Sequence, residues 1–313
     1  MEGAIAECGG YAAFADSMGK MRDSFSEEEQ LQSIEEADNA MWKEGIDVVG
    51  DIVNGATSFA VKMASPILYK SFAEVFGLRQ CNLERQRELL KYPNTSLTLH
   101  STYSVQEAPF KEVCGADMEH PLSIHFLETD DEAKLYQGEG SLHEWYSKVG
   151  FECDFLHYGS PTRRIAECIP KDRSVILVHN CAISEQDIEV VMNHFTAPVY
   201  WALCPRSNSY ISGIEPRSVE LLRSYGPNIN ICIGTDSLAS NWSLSIIEEL
   251  KMFRNIPLFE LLQWATINGA KALGVADKFG SIEEGKQSGI INLTGVNLDD
   301  FTLTAESKAV RIL

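Results

Sequence analysis

The chain contains 313 residues, of which 44% are hydrophobic, so it can bury the core of one large α/β domain with a small appendage. It carries 45 acidic residues against 26 Lys and Arg, and its formal net charge is -19 at pH 7. This acidity excludes charge-driven binding to nucleic acid or to an anionic membrane surface, and it favours a small neutral or cationic substrate.

The cysteines predict a reducing environment. Eight are scattered through the chain, none in a Cys-x-x-Cys pair, and several stand in apolar runs. Buried thiols are therefore a better interpretation than disulfides or a zinc–cysteine site. The N-terminus lacks the pattern of a signal peptide, and no apolar run reaches the roughly 20 residues of a membrane helix. We expect a cytoplasmic protein.

The first predicted element is a helix rather than a strand. It begins with the capping box Ser26-x-x-Glu29. Its apolar residues recur at a spacing of three or four, as an amphipathic helix requires: Leu31, Ile34, Ala37 and Met41.

Short apolar or β-branched runs alternate with helical stretches over most of the chain, which predicts βα units. Seven runs are predicted strands: 46–52, 68–75, 97–100, 122–127, 175–179, 199–203 and 229–233. Further helices are predicted at 184–194, 216–224, 244–254 and 258–273.

This pattern predicts an α/β fold, a TIM-like (β/α)8 barrel that lacks strand one. A complete barrel has eight strands, whereas only seven runs are present here. We therefore expect a gap, or a foreign segment, between the strands at 46–52 and 229–233. Exposed strand edges favour association, so we also expect a homodimer.

The pattern changes after Gly274, where short strand-like runs alternate with turn residues. We predict two domains, an N-terminally truncated barrel over 1–274 and a small β appendage over 275–313. The appendage would be one part of a composite β-sandwich, because its strands need partners.

Several predicted strands end in residues that can bind a metal or move a proton. The carboxyl ends of parallel barrel strands form one rim, so these residues are expected to converge. They are His100 with Tyr103, His125 with Glu128, His179, and Asp236. Each has an ordinary alternative, such as a hydrogen-bonded core histidine or a helix-capping aspartate. Their shared position favours a metal site, in which imidazole and carboxylate bind a divalent ion that makes hydroxide available at neutral pH.

The order of these motifs resembles the amidohydrolase superfamily. The similarity is to its branch of cytosine, S-adenosylhomocysteine, methylthioadenosine and aminodeoxyfutalosine deaminases and triazine chlorohydrolases. The matching stretches are LHSTYS, SIHFLETDDE, LVHNCAIS, WALCPRSNSYI, GTDSLASNWSLSIIEEL and ATINGAKALGVADKFGSIEEGKQSGIINL.

The resemblance implies a role for each residue of the rim. His125 would bind the metal, and Glu128 would carry a proton to the ring nitrogen of the substrate. Asp236 would bind the metal and take a proton from the attacking water. His179 would orient substrate and water beside the metal, and it is a further candidate ligand.

The resemblance also implies a substrate pocket. His100 and Tyr103 are similar to the substrate-binding pair of the family's H-x-x-Y motif. Arg206, Ser207 and Asn208 are similar to the loop that frames the pocket, although Asn208 and the proline of this loop could equally shape a turn.

One departure from the family weakens the predicted metal site. The family's first strand carries an H-x-H pair of metal ligands, and no H-x-H occurs in this sequence. A start codon assigned too late or a shortened chain explains this better than natural loss of the strand. With His125 and Asp236 as the main ligands, zinc, or alternatively iron, would bind weakly.

The favoured function is metal-dependent hydrolytic deamination of an aminated heterocycle or a nucleoside-like small molecule. The same residues could act on a C–Cl bond or a cyclic amide, because they determine the nucleophile and not the leaving group. A metal-free, inactive or truncated relative is the third hypothesis. A small-molecule substrate is expected, and neither nucleic acid nor a membrane is an expected partner.

Overall fold

The computed structural model describes Ser17, residues 25–213 and residues 218–313. Seven strands pair in parallel and two pair antiparallel in this part of the chain. The strands are β1 (Val48–Val53), β2 (Leu68–Val75), β3 (Thr95–Leu99), β4 (Leu122–Phe126), β5 (Val175–His179), β6 (Val199–Leu203), β7 (Asn230–Ile233), β8 (Ile291–Asn297) and β9 (Thr302–Arg311).

Helices precede, connect and follow the parallel strands. They are α1 (Glu27–Lys43), α2 (Phe59–Ala64), α3 (Leu83–Arg87), α4 (Glu107–Gly115), α5 (Asp130–Tyr136), α6 (Gly140–Val149), α7 (Pro161–Cys168), α8 (Glu185–His194), α9 (Pro205–Ser212), α10 (Ser218–Ser224), α11 (Ile246–Leu250), α12 (Leu258–Gln263) and α13 (Gly269–Ala272). A π-helical turn, Trp264–Asn268, joins the last two. No helix in the described ranges has both the length and the apolar composition needed to cross a membrane.

All seven predicted barrel strands are confirmed, with boundaries that differ by at most two residues. The capping box of α1 is also confirmed, because the Ser26 hydroxyl accepts from the Glu29 amide at 3.2 Å and the Glu29 carboxylate accepts from the Ser26 amide at 2.8 Å. The helix predicted at 244–254 is shorter, since the chain leaves α11 through turns that lead to Pro257. Residues 216 and 217 of another predicted helix lie outside the described residues.

The parallel strands form two sheets, β1-β2-β3 and β4-β5-β6-β7. The sheets meet at β3 and β4. Here a side chain makes hydrogen bonds that backbone groups would make in a regular strand ladder. The hydroxyl of Thr98 accepts from the Ser123 amide at 2.9 Å and donates to the Ser123 carbonyl. Nearer the rim, one parallel bridge joins Ser101 to His125.

Inward-facing residues of both sheets pack against one another, as in a barrel. Phe72 of β2 belongs to the same buried cluster as Ile176 of β5, Tyr200 and Ala202 of β6, and Cys232 of β7. Outward-facing residues of the strands form the larger core with the helices. The fold is therefore a barrel with an apolar centre, and the strand ends are free to form a site.

The barrel remains open between its first and last described strands. Across residues 25–213 and 218–313, no strand pairs with the second edge of β1 or of β7. Ile52 of β1 is consequently 37% exposed, although it is a large apolar residue in a barrel strand. This agrees with the prediction of a TIM-like barrel that lacks one strand.

The C-terminal sheet is a twisted antiparallel ribbon of β8 and β9. A register shift between Thr294 and Val296 marks a β-bulge, and Gly295 adopts the left-handed φ of 66° that such a bulge favours. The ribbon is fixed to the barrel by Arg311, whose guanidinium donates to the Trp42 carbonyl at 2.8 Å and pairs with Asp47 at 2.7 Å.

Candidate active site

Three imidazoles stack along the rim of the barrel, where β3, β4 and β5 end. The ring centroids of His100 and His125 are 4.9 Å apart, and those of His125 and His179 are 5.1 Å apart. The rings of His125 and His179 are nearly parallel, with an angle of 18° between their planes. The structure thus brings together three of the histidines selected from the sequence.

One ring nitrogen of His125 makes a hydrogen bond to the backbone, and the other can bind a metal. Its Nδ1 lies 2.6 Å from the carbonyl oxygen of His100, and a carbonyl can only accept a hydrogen bond. Nδ1 therefore donates, and Nε2 keeps the lone pair that a metal ligand needs.

His179 is positioned in the same way by a neighbouring amide. Its Nδ1 donates to the Asn208 side-chain oxygen at 2.8 Å, and its Nε2 lies 3.9 Å from a carboxylate oxygen of Glu128. Burial lowers the pKa of His179, and it lowers the pKa of His100 to about 4. Both imidazoles are therefore neutral at pH 7 and able to act as ligands or acceptors.

Glu128 is a carboxyl whose protonation changes near neutral pH. It is buried just after β4, and burial raises its pKa to about 7. The preceding Leu127 has a left-handed φ of 47°, which turns the chain at the rim. A carboxyl with this pKa can both hold and release a proton at pH 7.

Asp236 lies on the solvent-exposed side of the rim and is a carboxylate. Its Oδ2 accepts from the hydroxyls of Ser207 and Ser240 at 2.7 and 2.8 Å. Loss of hydration by itself raises the pKa, but the nearby His179 and His125 and these two hydroxyls outweigh it. The net result is a pKa below the usual value for aspartate, as suits a metal ligand or a proton acceptor.

The sequence did not indicate Glu74, which is buried in β2 beside the same imidazoles. Its Oε2 accepts from the Asn54 amide nitrogen at 2.9 Å, and its Oε1 lies 4.0 Å from Nδ1 of His125. A signal was available, because Glu74 lies two residues after the inward-facing Phe72, and a charged residue on the inner face of a barrel strand needs an explanation.

The donors at this rim fit a divalent cation. Glu74, His100 and His125 each place one ligand atom within 4.8 Å of the other two. His179 stacks on His125 at 5.1 Å, and Asp236 interacts electrostatically with both imidazoles, but neither residue belongs to this group of three. Neutral imidazole nitrogens with carboxylate oxygens are the donor types that zinc and similar ions take in proteins.

The predicted substrate-binding residues fall into two groups. The rings of His100 and Tyr103 meet edge to face at 6.2 Å, and Nδ1 of His100 is 3.1 Å from the Ser104 hydroxyl. Asn208 contacts His179, as described above. Arg206 instead lies over Trp242 at 5.1 Å, and its Nη1 is 3.4 Å from a carboxylate oxygen of Glu248, so its charge is already paired.

Comparison with known proteins agrees with this fold. A Helicobacter pylori protein named adenosine deaminase is 28% identical over 276 residues, which cover 82% of this chain and 66% of that protein. A 5-methylthioadenosine/S-adenosylhomocysteine deaminase of Thermoanaerobacter pseudethanolicus is 27% identical, with coverage of 82% and 62%. The chain spans about half to two thirds of the length of the curated relatives it matches, from 48% to 66% for the first three.

A solved structure resembles the entire chain. The Helicobacter pylori aminofutalosine deaminase in complex with methylthio-coformycin matches with a TM-score of 0.81 and 26% identity, covering 100% of this chain and 83% of that one. An adenosine deaminase from Xanthomonas campestris with bound zinc shares the fold at a TM-score of 0.73 and 21% identity. The amidohydrolase family model matches residues 18–311. Because this match covers nearly the whole barrel and the ribbon, the chain belongs to the amidohydrolase family.

Proposed function

We propose that the protein is a metal-dependent hydrolase that deaminates an aminated heterocycle or a nucleoside-like small molecule. The observation that carries the proposal is the arrangement of a protonatable Glu128, a neutral His179 and a charged Asp236 on one rim. Hydrolytic deamination needs a group that accepts a proton from water and a group that donates one to the substrate nitrogen. The rim supplies both.

The proposed cation is zinc, held by His125 and Asp236, with His179 beside them and Glu74 and His100 on the other side of His125. A divalent cation bound there would lower the pKa of its bound water to about 7. Only part of a four-coordinate shell comes from His125 and Asp236, so we expect weak binding by this chain.

The chain's own residues would move the protons. Asp236, which is ionised, would accept a proton from the attacking water. Glu128 in its protonated form would donate to the ring nitrogen of the substrate. His179, kept in one tautomer by Asn208, would orient the water and the substrate through Nε2.

Aminated purine nucleosides are the proposed substrate class. This rests on the names of the relatives, which are deaminases of adenosine and of 5-methylthioadenosine or S-adenosylhomocysteine, and on the methylthio-coformycin bound by the similar solved structure. His100 and Tyr103 would line the pocket next to the imidazole stack.

Glu128→Gln tests the proposal. The purified protein, with added zinc, is assayed for ammonia release from a panel of aminated purines, pyrimidines and their nucleosides. We expect activity in the wild type and a loss of about 10²- to 10⁴-fold in kcat for E128Q, because Gln cannot transfer the proton. Exposed Glu167 on α7 provides the matched control, and E167Q should keep wild-type activity.

No ammonia from any substrate of the panel would count against deamination. Release of chloride or ring opening in parallel assays would move the proposal to those leaving groups. Elemental analysis of the same preparation reads the metal directly, and a protein that takes up no zinc or iron even with excess metal would contradict the metal-dependent mechanism.

We also propose a homodimer, a cytoplasmic location and a domain boundary near residue 274. The second edges of β1 and β7 and the exposed Ile52 offer surfaces that association would cover. The seven described cysteines are thiols, as is usual in the cytoplasm. Sedimentation velocity would test the dimer, and a monomer at micromolar concentration would contradict it.

A further inference from the structure

Glu132 in α5 is a buried acid that the proposed chemistry does not use. Its side chain is 1% exposed, and burial raises its pKa to about 8. Burying a carboxyl costs free energy, and an apolar residue of similar size would usually fill such a position more cheaply. The contacts of its two oxygens therefore need an explanation.

The carboxyl joins two segments that carry site residues. One oxygen accepts from the hydroxyl of Thr102, and the other accepts from the backbone amide of Glu128 at 3.3 Å. Thr102 lies between His100 and Tyr103 in the segment after β3, whereas Glu128 follows β4. The Glu132 side chain thus connects the His100–Tyr103 segment to the segment that carries Glu128, the proposed proton donor.

The Thr102 end of this connection is rigid. Nη1 of Arg164 and the hydroxyl of Tyr136 both donate to the Thr102 carbonyl oxygen at 2.6 Å. The Arg164 guanidinium is itself held between the rings of Phe110 and Phe155, at 4.0 and 4.1 Å. Helices α5 and α7 therefore hold Thr102 directly, and α4 supports it through Phe110, which packs against Arg164.

The other end of this connection is Glu128, whose carboxyl needs a fixed position for the proposed proton transfer. Leu127 has a left-handed φ of 47°, a conformation that leucine adopts at a cost of about 1–2 kcal/mol unless the surroundings hold it. This turn directs the Glu128 carboxyl toward Nε2 of His179, 3.9 Å away. A bond to the Glu128 amide restrains the residue directly after the strained one.

We infer that Glu132 is a positioning residue that holds the Glu128 backbone against the His100–Tyr103 segment, so that the Glu128 carboxyl stays beside His179. The inference rests on the proposed function for the role of Glu128, whereas the restraint itself follows from the contacts alone. A displaced proton donor slows the chemical step more than it weakens substrate binding.

The test compares Glu132→Leu with Glu132→Gln. Gln keeps one oxygen to accept from the Glu128 amide, and its amide group can donate to the Thr102 hydroxyl, whereas Leu keeps neither bond. We expect E132L to lower kcat by about ten-fold or more with KM changed by less than about three-fold, and E132Q to stay within about three-fold of the wild type in both. The surface variant E167Q is the matched control.

Equal losses in E132L and E132Q, or a kcat of E132L within about three-fold of the wild type, would overturn the inference. If E132L does not fold, Thr102→Val removes only the hydroxyl and should lower kcat in the same direction. A T102V variant with unchanged kcat would then overturn it.

Hydrogen exchange at the Glu128 amide gives a readout that needs no substrate. We expect exchange to be about ten-fold or more faster in E132L and unchanged in E132Q, and unchanged exchange in E132L would overturn the inference. A wild type without deaminase activity would count against the proposed function, and the exchange measurement would still decide the role of Glu132.

Discussion

The charge state of each rim side chain depends on its neighbours rather than on its residue type. Glu128 and Asp236 are both carboxyls close to His179, but burial raises the pKa of Glu128 to about 7 while imidazoles and hydroxyls lower that of Asp236. Two carboxyls with separated pKa values can take the opposite roles of proton donor and proton acceptor in one site. His179 acquires its tautomer from Asn208 in the same way.

Asn208→Asp tests this control of His179. A carboxylate next to Nδ1 stabilises the imidazolium, so we expect the pKa of His179 to rise and its neutral form to become rarer at pH 6–7. Ring resonances of His179, followed by NMR as a function of pH without metal, measure the change. Asn39→Asp on the exposed surface of α1 adds the same charge and should leave His179 unaffected; a shift of equal size there would refute the local explanation.

At the level of strands and helices, the regular strand ladder of the described β1-to-β7 wall is interrupted at the seam between β3 and β4. The hydroxyl of Thr98 makes the two hydrogen bonds to the Ser123 backbone that backbone groups of β3 would make in a continuous ladder. Because His100 follows β3 and His125 lies within β4, the seam determines the distance between two rings of the imidazole stack.

Thr98→Val should therefore destabilise the protein more than its small change in shape suggests. Valine leaves the amide and the carbonyl of Ser123 buried without partners, at a cost of about 1–3 kcal/mol for each group. Unfolding in urea measures the change, and Thr98→Ser, which keeps the hydroxyl, should lose much less. Equal losses for the two variants would show that the methyl group and not the hydroxyl matters.

Across the entire chain, buried carboxyls make stability depend on pH. Burial raises the pKa of Glu128 to about 7 and those of Glu132 and Glu249 to about 8, all above the usual 4.5. The folded chain therefore binds more protons than the unfolded chain between about pH 4.5 and 8, and stability falls as pH rises through this range. The pKa values of His100 and His179 are lowered in the folded chain, so below about pH 6.5 these two groups make stability increase as pH rises.

The window from pH 7 to 8 reports mainly on the carboxyls, because unfolded histidines are mostly neutral above pH 7 and unfolded thiols are mostly protonated below pH 8. There we expect the free energy of unfolding of the metal-free protein to decrease, by at most about 1.4 kcal/mol per pH unit for each proton. Glu249→Gln, which replaces a fully buried acid, should make the decrease shallower. A free energy that rises across this window would contradict the assignment.

Much of the architecture could be predicted because it is encoded locally. Alternating runs of apolar residues defined the seven strands, and their parallel order placed His100, His125, His179 and Asp236 at one rim. The capping box of α1 could also be predicted from the sequence, because its two hydrogen bonds join residues that are three positions apart.

The sequence by itself determined the order of the described strands and helices, the count of seven predicted barrel strands and the identity of the rim histidines, because these follow from residue type and short-range periodicity. Only the tertiary structure decided that Glu74 joins His100 and His125, that Arg206 is paired with Glu248, and that Glu132 connects Thr102 to Glu128. Such contacts depend on distances between segments far apart in the chain, and no local pattern encodes those distances.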